Sequence, residues 1–114
     1  GYSVKSLHMP SDRRFIRYYE LIKNFSFFYN NETFNIIDLG CGYGDIIDYL
    51  DYLKCDYNYL GIDLCDSFLE FAEQKYSEKN NVVFRKCDFF KADFSEYNYD
   101  YAITSQTFNH YQIV

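Results

Sequence analysis

The sequence predicts an α/β fold: a doubly wound, mainly parallel sheet in a single domain. Three observations carry this prediction. Short apolar runs alternate with segments whose apolar residues recur at steps of three and four, the spacing of α-helices. One strand-to-helix junction is a loop of alternate glycines, at Gly40, Gly42 and Gly44. The length of 114 residues, with 48% hydrophobic and 25% charged residues, suits one globular domain over residues 1–114.

The predicted elements follow one another as helix, strand, helix, strand, helix, strand, strand. Ser11 or Asp12 is suited to cap a first amphipathic helix over residues 11–29, whose inner face is predicted to carry Phe15, Ile16, Tyr19, Ile22 and Phe25. A second helix should follow the glycines, and Asp66 or Ser67 should cap a third. Because helices of this length separate the strands, right-handed crossovers and a parallel sheet are expected. The four strands are predicted at residues 34–39, 58–63, 82–87 and 99–104.

Composition and charge disfavour several classes of protein. Eleven Lys and Arg against 17 Asp and Glu give a formal net charge of -6, which opposes binding to the phosphates of nucleic acid. No apolar run approaches the roughly 20 residues that cross a bilayer. The N-terminus also lacks the pattern of a signal peptide. A cytoplasmic protein with reduced cysteines is expected, and the spacing of cysteines and histidines predicts no metal site.

The segment from Ile36 to Asp45 is the most informative part of the chain. A strand enters its glycine loop and a helix leaves it. Glycines there permit backbone angles that are closed to other residues and let a ligand approach the main chain. Asp63 ends the next strand, close to the separation of about 20 residues expected of an acid that binds ribose hydroxyls. Loop and acid together predict a site for an adenosine-containing cofactor.

The charges of this loop favour a cationic cofactor over a diphosphate. A nicotinamide or flavin dinucleotide needs a third glycine where this sequence has Asp45, whose carboxylate would repel the pyrophosphate. No Gly-Lys-Ser/Thr follows, so a phosphate-binding P-loop is disfavoured as well. S-adenosylmethionine instead carries a sulfonium and an ammonium group, which gain from carboxylates such as Asp38. It is therefore the predicted cofactor, and a nicotinamide-dependent oxidoreductase is the less favoured alternative.

These residues resemble the class I, Rossmann-like S-adenosylmethionine-dependent methyltransferases. The family's first motif, apolar-apolar-acid-apolar-G-x-G-x-G, matches residues 36–44 position by position. Its fourth-strand motif, an aromatic residue and Asp followed by an apolar run, resembles residues 99–103. The resemblance extends from about Asn35 to Tyr111 and implies the strand order 3-2-1-4.

The resemblance also implies roles for individual residues. Asp63 would hold the ribose hydroxyls, with Leu64 beside the adenine. Asp88 would accept a hydrogen bond from the exocyclic amine, Phe89 would offer a backbone N–H, and Ser105 would lie near the methyl donor. The predicted cofactor-binding residues are Asp38, Gly40, Cys41, Gly42, Gly44, Asp63, Leu64, Asp88, Phe89 and Ser105.

The predicted reaction needs positioning more than acid–base chemistry. Methyl transfer from a sulfonium is an in-line displacement with a good leaving group, so a general base is optional. His110 is the one candidate for such a base, although a packing role is favoured for it. Family members that methylate nucleobase or glutamine amino groups often carry Asn/Asp-Pro-Pro-aromatic after strand four. Residues 104–107 contain no proline, so a small-molecule acceptor is expected.

The sequence stops after the fourth predicted strand, whereas the family's sheet normally has seven. It is therefore expected to be a methyltransferase domain that is incomplete at the C-terminus and that need not be active as this chain alone. A non-catalytic module that binds the adenosyl cofactor is the alternative from another functional class. Residues 99–104 would form an unpaired apolar edge, which predicts either self-association through this strand or a fragment of limited solubility.

Overall fold

The structure is a computed structural model, and it describes residues 13–88, 90, 91, 93–95 and 97–106. Its centre is a four-stranded sheet in which every neighbouring pair is parallel. The strands are β1 (Phe34–Leu39), β2 (Tyr57–Asp63), β3 (Val82–Lys86) and β4 (Tyr101–Ile103). Their order across the sheet is β3-β2-β1-β4, which confirms the predicted order and the α/β fold class. The α-helices are α1 (Arg13–Ile22), α2 (Ile46–Tyr52) and α3 (Asp66–Lys75).

The first helix is shorter than predicted. The expected helix over residues 11–29 is wrong beyond Ile22, where the chain turns and then forms a short 3-10 helix at Ser26–Phe28. Phe25 at the start of that turn is extended, with φ -77° and ψ 142°. This break lets Phe27 stack on Phe34 of β1, with ring centroids 3.8 Å apart, which a continued helix could not do. The predicted cap at residues 11–12 lies outside the described residues.

The apolar stripe of α1 also differs from the predicted one. Ile16 was expected on the inner face, but it is 50% exposed, whereas Tyr18 is completely buried. The hydroxyl of Tyr18 has a partner on a distant segment, Gln106, 2.8 Å away. The hydrogen bond to Gln106 lets α1 bury the Tyr18 ring in place of the more apolar Ile16 side chain.

The start of α3 differs from prediction by one or two positions. Neither Asp66 nor Ser67 is the cap: the helix begins at Asp66, and Cys65 occupies the N-cap position without a side-chain cap bond. Instead, the Cys65 N–H donates to Oδ1 of Asp63, at 3.0 Å. The acid at the end of β2 therefore fixes the entry into α3.

One face of the sheet packs against the helices. Strand alternation and register place Phe34, Ile36, Tyr57, Tyr59 and Ile103 on this face, and all are buried. They join apolar residues from all three helices in one cluster. The helical members are Tyr18, Ile22, Ile46, Ile47, Tyr49, Leu50 and Leu69, and Tyr76 joins them from the position directly after α3.

The opposite face of the sheet carries a cavity of about 310 Å³. Asn35, Asn58, Leu60 and Val83 line it, together with Tyr97 from the segment between β3 and β4. The two asparagines stand near the amino ends of β1 and β2, whereas the glycine loop follows the carboxyl end of β1. This cavity is therefore separate from the predicted cofactor site.

We expect Phe27→Ala to lower the free energy of unfolding by about 3–5 kcal/mol, because it empties a buried position in a ring stack. Phe27 is 1% exposed and also approaches the ring of Tyr101 at 5.2 Å. Tyr29→Ala is the control: this side chain is 60% exposed, so its removal should cost about 1 kcal/mol or less. Urea denaturation followed by circular dichroism measures both. Equal losses for the two variants would contradict the packing described here.

Candidate functional site

The glycine loop, residues 40–44, has a backbone that requires its glycines. Gly40, Gly42 and Gly44 have φ angles of 78°, 58° and 76°, in the left-handed region that L side chains avoid. The N–H groups of Gly40 and Cys41 both donate to the carbonyl of Ile62 in β2, at 2.9 and 2.8 Å. The loop is thereby fixed to the neighbouring strand, and its positive φ angles confirm the special backbone conformation that the glycines predicted.

Asp63 joins the end of β2 to the glycine loop. Its Oδ2 accepts the N–H of Gly42 at 2.9 Å, and its Oδ1 accepts the N–H of Cys65 at 3.0 Å. Each carboxylate oxygen retains further acceptor capacity, because it can accept about two hydrogen bonds. The partly exposed carboxylate is therefore held beside the loop with room to accept hydroxyl groups.

Asp38 is the most enclosed carboxylate of the site. It is completely buried, and it accepts the hydroxyl of Tyr59 at 2.7 Å and both the N–H and the hydroxyl of Ser105 at 3.0 and 2.5 Å. Burial raises the pKa of this carboxyl above its ordinary value, and the donors from Ser105 and Tyr59 partly oppose the rise. These bonds connect β1, β2 and the segment after β4. Asp38 thus positions Ser105, the residue predicted to lie near the methyl donor.

Cys41 packs inside the loop. It is completely buried, its Sγ lies 3.6 Å from the carbonyl of Gly42, and burial raises the pKa of its thiol. A Cβ added to Gly61 would stand 3.0 Å from the Cys41 side chain and 2.8 Å from the ring of Tyr59. Gly61 and Tyr59 are therefore parts of the site that sequence reasoning missed. A tyrosine at a buried strand position, which needs a partner for its hydroxyl, was the available signal.

Two of the predicted adenine-binding residues, Leu64 and Asp88, lie at the same edge of the sheet. Leu64 follows Asp63 and is 57% exposed. Asp88 follows β3, and its Oδ1 accepts the N–H of Phe90 at 3.0 Å. Phe89 and His110 lie outside the described residues. The structure thus brings Asp38, the glycine loop, Asp63, Leu64, Asp88 and Ser105 to the carboxyl ends of the four strands.

Asp45 is paired with two cations rather than left free in the loop. Its carboxylate lies 3.1 Å from the guanidinium of Arg14 and 3.6 Å from the ammonium of Lys75. The negative charge that the sequence places beside the loop is therefore largely balanced. This corrects the expectation that Asp45 by itself would repel a diphosphate.

Gln106 is a further residue of the site that sequence reasoning missed. A Cβ built on Gly42 would lie 3.1 Å from its Cγ, so the Gln106 side chain rests directly on the glycine loop. Its Nε2 donates to the Tyr18 hydroxyl at 2.8 Å, and burial raises the pKa of that hydroxyl. Tyr18 of α1 and Gln106, which follows β4, therefore bound the loop on the side opposite Asp63.

The described residues contain neither a metal-binding cluster nor a membrane-spanning helix. Within them, no group of three or more His, Cys, Asp or Glu side chains is placed to hold a metal ion. In the same part of the chain, no helix has both the length and the apolar character needed to span a membrane.

Comparison with known proteins identifies the family of this fold and site. The profile of a family described as a methyltransferase domain matches residues 36–113, from within β1 to beyond β4. The chain belongs to this methyltransferase family. The matched segment contains every predicted cofactor-binding residue.

Individual relatives agree with this assignment. A protein named as a methyltransferase in Mycobacterium tuberculosis is 35% identical over 78 residues, covering 68% of this chain and 44% of that protein. A tRNA (guanine-N(7)-)-methyltransferase of Clostridium botulinum is 40% identical over 58 residues, covering 51% of this chain and 27% of that protein. The crystal structure of a TehB-like SAM-dependent methyltransferase from Corynebacterium glutamicum superposes with a TM-score of 0.51 at 30% identity, covering 62% of this chain and 36% of that one. The chain thus spans less than half the length of these relatives.

We expect the Asp38→Asn variant to change the pH dependence of stability in a defined direction. Because the pKa of Asp38 is raised in the folded protein, this carboxyl contributes stability at low pH that is lost as the pH rises through the folded pKa. The stability of the wild type relative to the variant should therefore fall as the pH rises above about 4, the ordinary pKa of an aspartate. Urea denaturation at several pH values measures the difference. Parallel curves for the two proteins would contradict the burial of an ionisable carboxyl here.

Proposed function

We propose that the protein binds S-adenosylmethionine at the glycine loop and catalyses transfer of its methyl group. The observation that carries this proposal is the pairing of Gly42 with Asp63, which sets a carboxylate beside a loop without side chains at its glycine positions. Membership in the methyltransferase family supports it. The name of the structurally similar corynebacterial protein includes dependence on the same cofactor.

The residues at the site suit the two halves of this cofactor. Asp63 would accept the ribose hydroxyls, because its oxygens are bonded only to backbone N–H groups in the described chain. The exposed side chain of Leu64 would cover the adenine, and Asp88 and Phe89 would bind its edge. Ser105, fixed by Asp38, would lie near the methyl group.

The cofactor would supply an activated methyl group on sulfur, and the chain would supply orientation. Holding donor and acceptor in line can provide most of the acceleration for such a displacement. The Asp38–Tyr59–Ser105 bonds serve this purpose, since they hold the segment after β4 at a fixed position relative to β1. His110 stays a prediction for the general base.

A small molecule is the acceptor that we propose. The formal net charge of -6 opposes a polyanion, and the segment after β4 lacks the proline pair typical of enzymes that act on nucleobase amino groups. One relative is named for methylation of tRNA at guanine N7, so tRNA is the competing acceptor. Its match covers 27% of that protein, which leaves most of its length without a counterpart here.

We expect Asp63→Asn to weaken the binding of S-adenosylhomocysteine by about tenfold or more. The substitution removes the charge that strengthens bonds from the ribose hydroxyls, and such bonds are worth about 1.5–3 kcal/mol. Isothermal titration calorimetry measures the affinity. Asp56→Asn is the matched control, because Asp56 precedes the same strand at its opposite end and bonds the Thr33 hydroxyl at 2.6 Å.

Equal affinity of wild type and Asp63→Asn would refute the proposed ribose contact. Binding of NADH in place of the adenosyl compounds would instead support the oxidoreductase alternative. Incubation with labelled S-adenosylmethionine and separate pools of metabolites and tRNA then tests the reaction. Binding without label transfer to either pool would support the non-catalytic module.

We also propose that the protein self-associates through residues 99–104. In the described sheet, β4 pairs with β1 on one side and is the terminal strand on the other. Ala102→Lys, at an exposed position of β4, should shift the protein toward monomers, because lysine on an edge strand opposes pairing. Light scattering over a range of concentrations measures this shift. A wild-type protein that is monomeric throughout would contradict the proposal.

Two broader proposals rest on the sequence. We propose that residues 1–114 belong to one cofactor-binding domain, because all the predicted elements build on one sheet. The cytoplasmic location stays a prediction from the sequence.

A further inference from the structure

We propose that the cavity on the sheet face opposite the helices is a second ligand site, and that it takes a mononucleotide. Its volume of about 310 Å³ lies within the roughly 300–1,000 Å³ of ordinary small-molecule sites. The cavity begins at the amino ends of β1 and β2, whereas the glycine loop follows the carboxyl end of β1. The two sites are therefore separate, and the second does not depend on the proposed function.

One wall of the cavity is held in place before any ligand binds. Tyr97 and Tyr99 form this wall, and Asp100 ties their segment to β1. The Asp100 N–H donates to the Asn35 carbonyl at 2.7 Å, and the Asp100 carboxylate accepts the Asn35 N–H at 2.8 Å. Because the wall is already ordered, a ligand pays little of the usual free-energy cost of fixing a loop.

Two asparagines supply an ordered pair of hydrogen-bonding groups at one end of the cavity. Asn35 and Asn58 are opposite each other in the register of β1 and β2, and the Asn58 Nδ2 donates to the Asn35 Oδ1 at 2.9 Å. This bond leaves one amide nitrogen as a donor and one amide oxygen as an acceptor, next to each other. Exchanging the nitrogen and oxygen of both amides would leave the same pair. The Watson–Crick edge of a nucleobase, with adjacent acceptors and donors, is complementary to it.

The middle of the cavity suits the face of a planar ring. Leu60 and Val83 are partners in the register of β2 and β3, and both line the cavity. Val83 is 49% exposed, so its apolar surface is open to a ligand. Tyr97 and Tyr99 add aromatic surface, on which bases of any sequence can stack. A base bound to the asparagines would therefore find apolar and aromatic contacts beside it.

Charge at the other end of the cavity favours a phosphate. Among the described lining residues, Arg85 is the only charged one, although the whole chain has 17 acidic residues. Its guanidinium lies 5.2 Å from the centre of the Tyr97 ring. None of the ion pairs within the described part of the chain involves Arg85. A guanidinium in such a position can bind a phosphate through two parallel hydrogen bonds.

The distance between the two ends calls for more than a base. Arg85 is level with Ile62, which follows Asn58 by four residues on β2. At about 3.3 Å per residue, the two backbone positions are about 13 Å apart along the sheet. A base alone would reach only the asparagines, whereas a base, a ribose and a phosphate together extend toward Arg85. One arginine suits one phosphate, and the net charge of -6 opposes a longer polyanion.

Titrations with uridine 5′-monophosphate and with uridine, which differ only in the phosphate, test the proposal. Neither probe contains adenosine, so neither carries the base expected at the glycine loop. NMR spectra of the ¹⁵N-labelled chain report both the affinity and the location of binding. The side-chain amide signals of Asn35 and Asn58 should shift, and the monophosphate should bind about tenfold more tightly than uridine. An excess of S-adenosylhomocysteine should leave both affinities unchanged.

Three variants separate the two ends of the ligand. Arg85→Gln should weaken binding of the monophosphate by about tenfold and leave uridine within about twofold of wild type. Asn58→Leu, at an exposed position, should weaken both ligands, because it removes the acceptor for the base. Lys86→Gln is the matched control: it removes the same charge from the next residue, which faces the other side of β3 and pairs with Asp66 at 3.2 Å. This control should leave both affinities within about twofold of wild type.

Several results would overturn the proposal. Failure of the wild type to bind the monophosphate would do so, and so would equal effects of Arg85→Gln and Lys86→Gln. Displacement of the uridine compounds by S-adenosylhomocysteine would place them at the glycine loop instead. Loss of self-association in Asn58→Leu, without ligand binding by the wild type, would show that a second copy of the chain covers this face.

Discussion

The hydrogen bond from the Gly42 N–H to Asp63 is the contact on which the candidate site depends. It lies in a loop where Gly42 takes a left-handed φ of 58°, and it joins that loop to the end of β2. The register that pairs Leu39 with Ile62 brings the two strand ends level, and the Ile62 carbonyl then accepts two more N–H groups of the loop. The loop conformation is therefore imposed by the neighbouring strand as much as by its own glycines. Any change that shifts this register would move the carboxylate away from the loop.

Short sequence patterns predicted those elements whose conformation depends mainly on residues adjacent in the chain. Strand β1 has the predicted bounds, because a short apolar run ending at a glycine leaves the chain few alternatives. The glycine loop and Asp63 were predictable as well. Glycines in the sequence indicate positions of positive φ, and an acidic residue directly at the end of a predicted strand is visible in the same way. For Tyr59 the sequence offered one weak signal, a tyrosine at a buried strand position, and for Gln106 it offered none. Their partners, Asp38 and Tyr18, lie 21 and 88 residues away along the chain, and only the folded arrangement shows the pairing. The early end of α1 has the same cause, because the stacking of Phe27 on Phe34 overrides helical periodicity.

The carboxylates near the glycine loop led to the correct class of cofactor, although the structure changes the role of two of them. The sequence places Asp38 and Asp45 close to the loop, but one is enclosed by three donors and the other is balanced by two cations. Asp63 is different, since its hydrogen-bond partners among the described residues are the backbone N–H groups of Gly42 and Cys65, which carry no full charge. On the proposed function, Asp63 and the neutral groups around the loop are therefore the candidates for selecting a sulfonium over a diphosphate.

Helix α1 connects the stability of the fold to the shape of the site. Its Arg14 pairs with Asp45 at the end of the loop, its Tyr18 holds Gln106 over Gly42, and its Phe15 packs on Tyr49 of α2 with ring centroids 5.0 Å apart. The surface ion pair contributes little by itself, whereas the buried aromatic contacts determine where the helix lies. Because Asp63 is held by strands and Gln106 by a helix, the two sides of the loop are supported independently. Loosening of α1 would then open the β4 side of the site while leaving the carboxylate on the β2 side in place.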